Sequence, residues 1–151
     1  MVEFIPLPED LVERLAPFVH EAYLADLSAL DPDRATHRPW PELTETSRES
    51  NRSQIRGYPE LLAREGLLIC AEGSTAAPVL NELPPEVVER IAEHEHDRWV
   101  DREIMNAPTH RDILHWVDID EAAREKDRQP IRRLPGLLRK VRYVVTSAPG
   151  E

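Results

Sequence analysis

Two rows of three arginines repeat at the spacing that places side chains on one face of a helix. The rows are Arg48, Arg52 and Arg56, and Arg124, Arg128 and Arg132. Side chains four residues apart lie one turn apart, so each row forms a stripe of guanidinium groups. A guanidinium can bind two oxygens of a phosphate or of a carboxylate. The stripes therefore predict either a phosphate-binding surface or ion pairs with nearby glutamates, and the sequence leaves both open. Those glutamates are Glu13, Glu45, Glu49, Glu89, Glu121 and Glu125.

A histidine precedes an aromatic residue by three positions in each half of the chain. The pairs are His20 with Tyr23, and His96 with Trp99. At this spacing both rings of a pair lie on one helix face. An aromatic ring there can stack on a planar base, whereas a helix-packing histidine donates to a carbonyl or carboxylate. We keep both interpretations for each pair.

These motifs occur twice because the sequence contains an internal duplication. An offset of 76 residues aligns 75 pairs, of which 18 are identical, against roughly 5 expected from average composition. We interpret residues 1–75 as the first copy and 76–151 as the second. Two amphipathic copies are expected to pack about a pseudo-two-fold axis and to share a site. Trp40 and Trp116, which also correspond, are either loop anchors that seal the core or stacking platforms.

Apolar periodicity and capping residues predict a mainly α fold with four principal helices and short strands. The predicted helices span residues 8–27, 44–65, 85–104 and 120–140. The predicted strands are Leu67–Ala71 and Tyr143–Thr146, paired across the two copies and joined by Val2–Ile5. Pro59 should kink or split the second helix. The segment from Glu72 to Glu82 is interpreted as a linker.

Composition excludes several classes of function. The net charge of −10 argues against binding to nucleic acid or to an anionic membrane surface. The single cysteine, Cys70, cannot close an intrachain disulfide and is interpreted as a small buried apolar residue. No signal peptide and no run of 18 apolar residues is visible, so we expect a soluble cytoplasmic protein.

No arrangement typical of catalysis stands out in the sequence. A glycine-rich phosphate loop, a nucleophile elbow, a His-Glu-x-x-His motif and a cysteine cluster are all missing. His94 and His96 are two residues apart on a helix and point in nearly opposite directions, so they cannot chelate one ion. We therefore expect no enzyme activity, no metal and no cofactor.

The order of motifs in each copy matches a known pattern. A His-x-x-aromatic helix is followed by a loop with an aromatic residue and an acid-Leu/Ile pair, and then by a helix of the form Arg-Glu-x-Asn/Asp-Arg that ends in Leu-Leu. The stretches are Ala92-Glu93-His94-Glu95-His96-Asp97-Arg98-Trp99, Glu125-Lys126-Asp127-Arg128 and Arg48-Glu49-Ser50-Asn51-Arg52, with Leu61-Leu62 and Gly66. They cover most of both copies and resemble the RyR domain, which ryanodine receptors also carry in tandem pairs.

This resemblance implies a helical module with a small sheet and a regulatory or ligand-sensing role. It further implies a cleft between paired repeats in which Tyr23 and Trp99 flank an adenine-type base. One departure concerns a Gly-Trp-x-Tyr-Gly-like segment of the family, in whose place this chain has Leu27–Leu30 and Ile104–Ala107. The resemblance therefore does not imply that this chain has the function that the segment performs in the family.

The sequence thus predicts a non-enzymatic sensor for a small anionic ligand, a nucleotide or a nucleotide-derived messenger, in the cleft between the copies. The alternative is a protein-interaction module, either a homo-oligomer or a subunit of a larger assembly. The predicted ligand-binding residues are Tyr23, Trp99, His20, His96, Arg52, Arg128, Arg56 and Arg132.

Overall fold

The computed structural model describes residues 3–27, 29–104 and 113–148, and it confirms a mainly helical fold with a small sheet. The helices are α1 (Glu9–Asp26), α2 (Glu45–Ala63), α3 (Pro85–Glu103) and α4 (Glu121–Lys140). The strands are β1 (Leu67–Ala71), β2 (Val79–Leu80) and β3 (Tyr143–Ser147). Short 3-10 turns at Ala35–His37, Trp40–Glu42 and Trp116–Asp118 precede α2 and α4. All four predicted helices are present within a few residues of their predicted bounds.

Local side-chain chemistry sets where α2 and α4 begin. Thr44 Oγ1 accepts a hydrogen bond of 3.2 Å from the Ser47 N–H, and Asp120 Oδ1 accepts one of 2.8 Å from the Ala123 N–H. Each cap satisfies an amide that has no partner inside its helix. Helix α2 continues through Pro59, so the predicted split does not occur.

The two helices that lead into the sheet are each followed by a residue in the left-handed backbone region. Gly66 has φ of 73° after α2, and Arg142 has φ of 63° after α4. These residues correspond under the 76-residue offset. A left-handed residue after a helix turns the chain sharply, which brings β1 and β3 back from their helices.

The sheet is antiparallel with the order β1-β3-β2. Leu67 lies opposite Ser147 and Ala71 opposite Tyr143, so the predicted pairing of these strands is confirmed. The centre of the ladder is Ile69 opposite Val145. Strand β2 lies in the segment that the sequence predicted to be a linker, and that prediction was wrong there.

The structure differs from the predictions for the N-terminal segment and for Cys70. Glu3–Ile5 is irregular rather than a strand, and Val2 lies outside the described residues. Ser28 and residues 105–112, which include much of the segments that depart from the RyR pattern, also lie outside them. Cys70 is half-buried rather than buried, and its Sγ lies 3.6 Å from Thr146 Oγ1.

The chain divides into two compact units whose boundary falls inside α4. Unit 1 comprises the chain up to Glu82 and from Arg133 onward, and unit 2 comprises Leu83–Arg132. These units differ from the copies at 1–75 and 76–151, because the copies are defined by sequence similarity and the units by contacts.

Each unit has its own apolar core. In unit 1, the buried faces of α1 and α2 pack together beside the inner residues of the sheet. Fully buried side chains there include Leu11, Leu15, Ile55, Tyr58, Leu62 and Val145. In unit 2, Ala92, Trp116, Ile119 and Ala123 form one buried cluster. None of the helices in the described part of the chain combines the length and apolar composition needed to cross a membrane.

Candidate functional site

His20 is locked in place within unit 1. Its side chain is 2% exposed, and its Nε2 lies 2.5 Å from the carbonyl oxygen of Arg38. Because a carbonyl can only accept, Nε2 carries the proton and donates it. The ring also packs beside Tyr23 at 5.9 Å and Trp40 at 6.2 Å between centroids. This is the helix-packing role that the sequence allowed, and it holds Tyr23 against a fixed neighbour.

His96 repeats this arrangement in unit 2. Its Nε2 lies 2.7 Å from the carbonyl oxygen of Leu114, and its ring packs beside Trp99 at 5.9 Å and Trp116 at 5.8 Å. The angle between the histidine and aromatic planes is 31° here and 33° for the first pair. The geometry of the motif is thus the same in both copies. One difference is that Asp127 Oδ2 lies 3.3 Å from His96 Nδ1, whereas the residue corresponding to Asp127 is an asparagine, Asn51.

Arg48 and Arg124 hold the loop before each of their helices. Arg124 donates from Nε to the Trp116 carbonyl at 3.0 Å and from Nη2 to the Val117 carbonyl at 2.9 Å. Arg48 makes the corresponding bonds to the carbonyls of Trp40 and Pro41, at 3.3 and 2.8 Å. Because their guanidinium groups donate to backbone carbonyls, these two arginines have a structural role: they fix the loops that carry Trp40 and Trp116.

Arg52 is enclosed by carboxylates and is only 12% exposed. Its Nη1 donates to Glu45 Oε1 at 2.5 Å and to Glu49 Oε2 at 3.4 Å. Glu13 Oε1 lies 2.5 Å from its Nε, in an ion-pair contact without hydrogen-bond geometry. Its guanidinium also lies 5.9 Å from the Trp40 ring centroid. The ion pairing that the sequence offered as an alternative is therefore present.

Arg128 occupies the corresponding place in unit 2 and is 13% exposed. It donates from Nε to Glu89 Oε2 at 2.7 Å and from Nη1 to Glu121. The Trp116 Nε1–H donates to the same Glu89 carboxylate at 2.9 Å. These bonds raise the pKa of Arg128, with Glu89 as the main cause, and the Arg128 guanidinium lowers the pKa of Glu89. The cluster links α3 to α4 within unit 2.

Arg56 and Arg132 end the two stripes and are more exposed. Arg56 donates to Glu9 at 3.0 Å and to Glu49 at 2.5 Å, and these bonds raise its pKa. Arg132 donates to Glu125 Oε2 at 2.5 Å and is 44% exposed. Hydrogen bonds from Arg56 and Arg132 lower the pKa of Glu49 and Glu125, respectively. Solvent reaches these two guanidinium groups more readily than it reaches Arg52 or Arg128.

Tyr23 is the most open ring of the predicted site in unit 1, with 38% exposure. Besides His20, the Tyr23 ring has the His37 ring as a neighbour, at 6.3 Å between centroids and 65° between ring planes. His37 Nδ1 accepts a 3.0 Å hydrogen bond from the Asp31 N–H. That bond leaves the neutral ring with its proton on Nε2, available as a donor. Sequence reasoning missed His37 because the corresponding residue is Ile113, so the duplication does not mark it.

The structure thus groups the predicted residues by unit. Tyr23 and His20 lie together in unit 1, which also contains Arg52 and Arg56, whereas Trp99 and His96 lie together in unit 2, which also contains Arg128 and Arg132. That the two copies share one site stays a prediction. Within the residues that the structure describes, no group of three or more His, Cys, Asp or Glu side chains could hold a metal ion.

No model of a known protein family and no curated protein matches this chain. The resemblance to the RyR domain therefore stays a prediction that rests on the motifs quoted above.

Proposed function

We propose that this protein is a non-enzymatic module that binds a nucleotide or nucleotide-derived messenger, and that Tyr23 and Trp99 each offer a ring face on which a base stacks. The observation that supports this most directly is the duplicated histidine–aromatic pair. Each histidine is fixed by a carbonyl, at 2.5 Å and 2.7 Å, and holds its aromatic partner at 5.9 Å. A ring held in one orientation stacks on a base with little loss of side-chain entropy.

The arginines make unequal contributions in this proposal. Arg52 and Arg128 are each held by glutamates and nearly buried, so a phosphate would have to displace carboxylates to reach them. Breaking such a pair leaves an uncompensated charge, which is costly. Arg132 and Arg56, at the exposed ends of the stripes, are better able to exchange a carboxylate for a phosphate. We therefore assign phosphate contact to these two and a supporting role to Arg52 and Arg128.

Thermal unfolding against a panel of nucleotides tests the proposal. A ligand at a hundred times its dissociation constant adds about 2.7 kcal/mol of stability, which is a readily measured rise in Tm. Trp99→Ala and Tyr23→Ala should reduce this shift, whereas Trp99→Phe, which keeps an aromatic face, should retain most of it. Arg132→Ala should also reduce the shift, because we assign phosphate contact to Arg132. Arg139→Ala is its matched control and should not, because Arg139 lies on the same helix but bonds to Asn81.

Two outcomes would overturn the proposal. One is the absence of a shift with every nucleotide in the panel. The other is a shift that survives replacement of both Tyr23 and Trp99 by alanine.

A second candidate, protein–protein interaction, is favoured by one feature of unit 2. Leu114 and Val117 flank the buried Trp116 and are 49% and 73% exposed. Exposed apolar side chains close together are typical of contact surfaces. If this is a contact surface between copies of the chain, the parent should form dimers in light scattering at micromolar concentration and Val117→Glu should abolish them. A monomeric parent would count against self-association.

A further inference from the structure

The outer edge of β1 carries backbone groups that β3 does not bind. The Ala148 N–H donates to the Gly66 carbonyl at 2.8 Å, at one end of the β1–β3 ladder. Bonded and non-bonded pairs alternate along an antiparallel ladder. The N–H and C=O groups of Leu67 and Ile69 therefore point away from β3. No strand covers that edge in the part of the chain that the structure describes.

The corresponding edge of β3 is covered by β2. Val79 lies opposite Thr146, and Leu80 lies opposite Val145. Because Thr146 uses its backbone groups toward β1, Leu80 and Val145 form the hydrogen-bonded pair and Val79 and Thr146 the non-bonded pair. Two residues are thus enough to close this edge.

The offset of the duplication defines the counterpart of β2. The β1–β3 ladder is centred on Ile69 opposite Val145, and these two residues correspond at an offset of 76. If each residue is replaced by its counterpart in the other copy, the β1–β3 ladder therefore maps onto itself. The same replacement turns the pair of Leu80 and Val145 into Phe4 opposite Ile69, and the pair of Val79 and Thr146 into Glu3 opposite Cys70.

We propose that the outer edge of β1 is a docking site for the N-terminal segment of this chain, which adds Glu3–Phe4 as a fourth antiparallel strand. Phe4 would form the hydrogen-bonded pair with Ile69, and Glu3 the non-bonded pair with Cys70. In the structure, where Glu3–Ile5 is irregular, Phe4 is half-buried and Glu3 is exposed, which is the same pattern as Leu80 and Val79 show in β2.

The sequence after the segment stops the pairing from extending toward α1. Pro6 has no N–H and cannot extend the pairing. The hydrogen bonds that two residues gain roughly offset the entropy of ordering them, so the strand docks and undocks readily. Phe4 precedes the first residue of α1 by five positions, as Leu80 precedes the first residue of α3. Docking would therefore anchor the start of the helix that carries His20 and Tyr23, independently of whether the protein binds a nucleotide.

The single native cysteine makes the register testable. Non-bonded antiparallel pairs have Cα atoms about 4.5 Å apart, which is within the range of a disulfide. We would place Glu3→Cys in the full chain and oxidise with glutathione disulfide, which takes up the two thiol hydrogens as the bond forms. Digestion and mass spectrometry then report the crosslink between the introduced cysteine and Cys70. The matched control is Phe4→Cys, because a side chain at position 4 would point to the opposite face of the sheet from Cys70.

We expect Glu3→Cys to form the intrachain disulfide about tenfold faster than Phe4→Cys, since only the former meets the geometric requirement. Adding Phe4→Pro to Glu3→Cys removes the N–H that would bond to Ile69, and should reduce crosslinking to the control rate. Unchanged circular dichroism would show that each variant is folded. Equal rates in all variants would overturn the proposal. So would a disulfide that joins two chains, because the edge would then receive a second copy.

Discussion

At the scale of single residues, two glycines should respond to the same substitution with opposite signs. Gly66 has φ of 73°, whereas Gly136 lies inside α4, and an added Cβ would meet no atom within 4 Å at either position. Gly66→Ala should lower the free energy of unfolding by about 1 kcal/mol, because alanine is strained in the left-handed region. Gly136→Ala should raise it by about 0.5–1 kcal/mol, because alanine favours the helix. Urea unfolding measures both changes.

The residue after α4 provides an independent check of that strain. Arg142 has φ of 63° at the position that corresponds to Gly66. Arg142→Gly should therefore be neutral or stabilising, by up to about 1 kcal/mol. A loss of stability in this variant, or the same sign for the two glycine variants, would contradict the backbone explanation.

Acid should weaken the fold through the glutamates that pair with arginine. Arg128 holds the pKa of Glu89 below its usual value of 4.5. A group whose pKa is lower in the folded state contributes stability above its unfolded pKa and loses it as the pH falls through the folded value. The free energy of unfolding should thus decrease from near pH 5 downward, and Glu89→Gln should make that decrease shallower. Urea titrations from pH 7 to pH 3 measure it.

The cause of that pH dependence can be checked from the other side of the pair. Arg128→Met removes the guanidinium that lowers the pKa of Glu89, so it should flatten the same part of the curve. If the parent, Glu89→Gln and Arg128→Met all lost stability with the same slope, the ion pair would not be the source.

Among the elements, α4 carries two arginines of the second stripe, Arg128 and Arg132, whose replacement should affect stability to different extents. Arg128 is 13% exposed and joins α4 to Glu89 of α3, whereas Arg132, one turn later, is 44% exposed. Arg128→Met should lower the free energy of unfolding by about 1–3 kcal/mol, since it leaves carboxylates without their partner. Arg132→Met should change it by less than about 1 kcal/mol. Chemical unfolding of the two variants makes the comparison.

A reversed order would contradict this division of roles. Nucleotide binding supplies the complementary readout, because Arg132→Met should weaken binding without a comparable loss of stability. If Arg128→Met left stability unchanged and abolished binding instead, the ion-pair cluster would be a ligand site rather than a link between helices.

Most elements could be predicted from the sequence because their signals are local. Caps such as Thr44 and apolar periodicity set the helices, and the apolar runs after Gly66 and Lys140 set β1 and β3. Strand β2 could not be predicted, since two residues carry no periodicity and their place is set by the pairing of Leu80 with Val145 of β3. The burial of Thr146 could not be predicted either, because its side chain lies beside Cys70, which is distant in sequence and belongs to the other copy.

The candidate site was only partly predictable for a related reason. Duplication pointed to His20 and Tyr23 and to their counterparts, and the structure places each pair in contact. It could not rank the arginines, because the same spacing fits both a phosphate surface and ion pairs. It also concealed His37, whose ring contacts Tyr23 but has no aromatic counterpart in the second copy.

At the scale of the whole molecule, the net charge of −10 should control how an anionic ligand arrives. Most of the candidate arginines face carboxylates, so they offset little of this field at a distance. A nucleotide therefore approaches against repulsion, which salt screens as the Debye length falls from about 30 Å to about 8 Å between 0.01 and 0.15 M. We expect the association rate constant to rise roughly two- to threefold over this range. Stopped-flow tryptophan fluorescence measures it, and the uncharged nucleoside, which should show no salt effect, is the control. A rate that fell with salt would show that a local positive field at the arginine stripes outweighs the charge of the molecule.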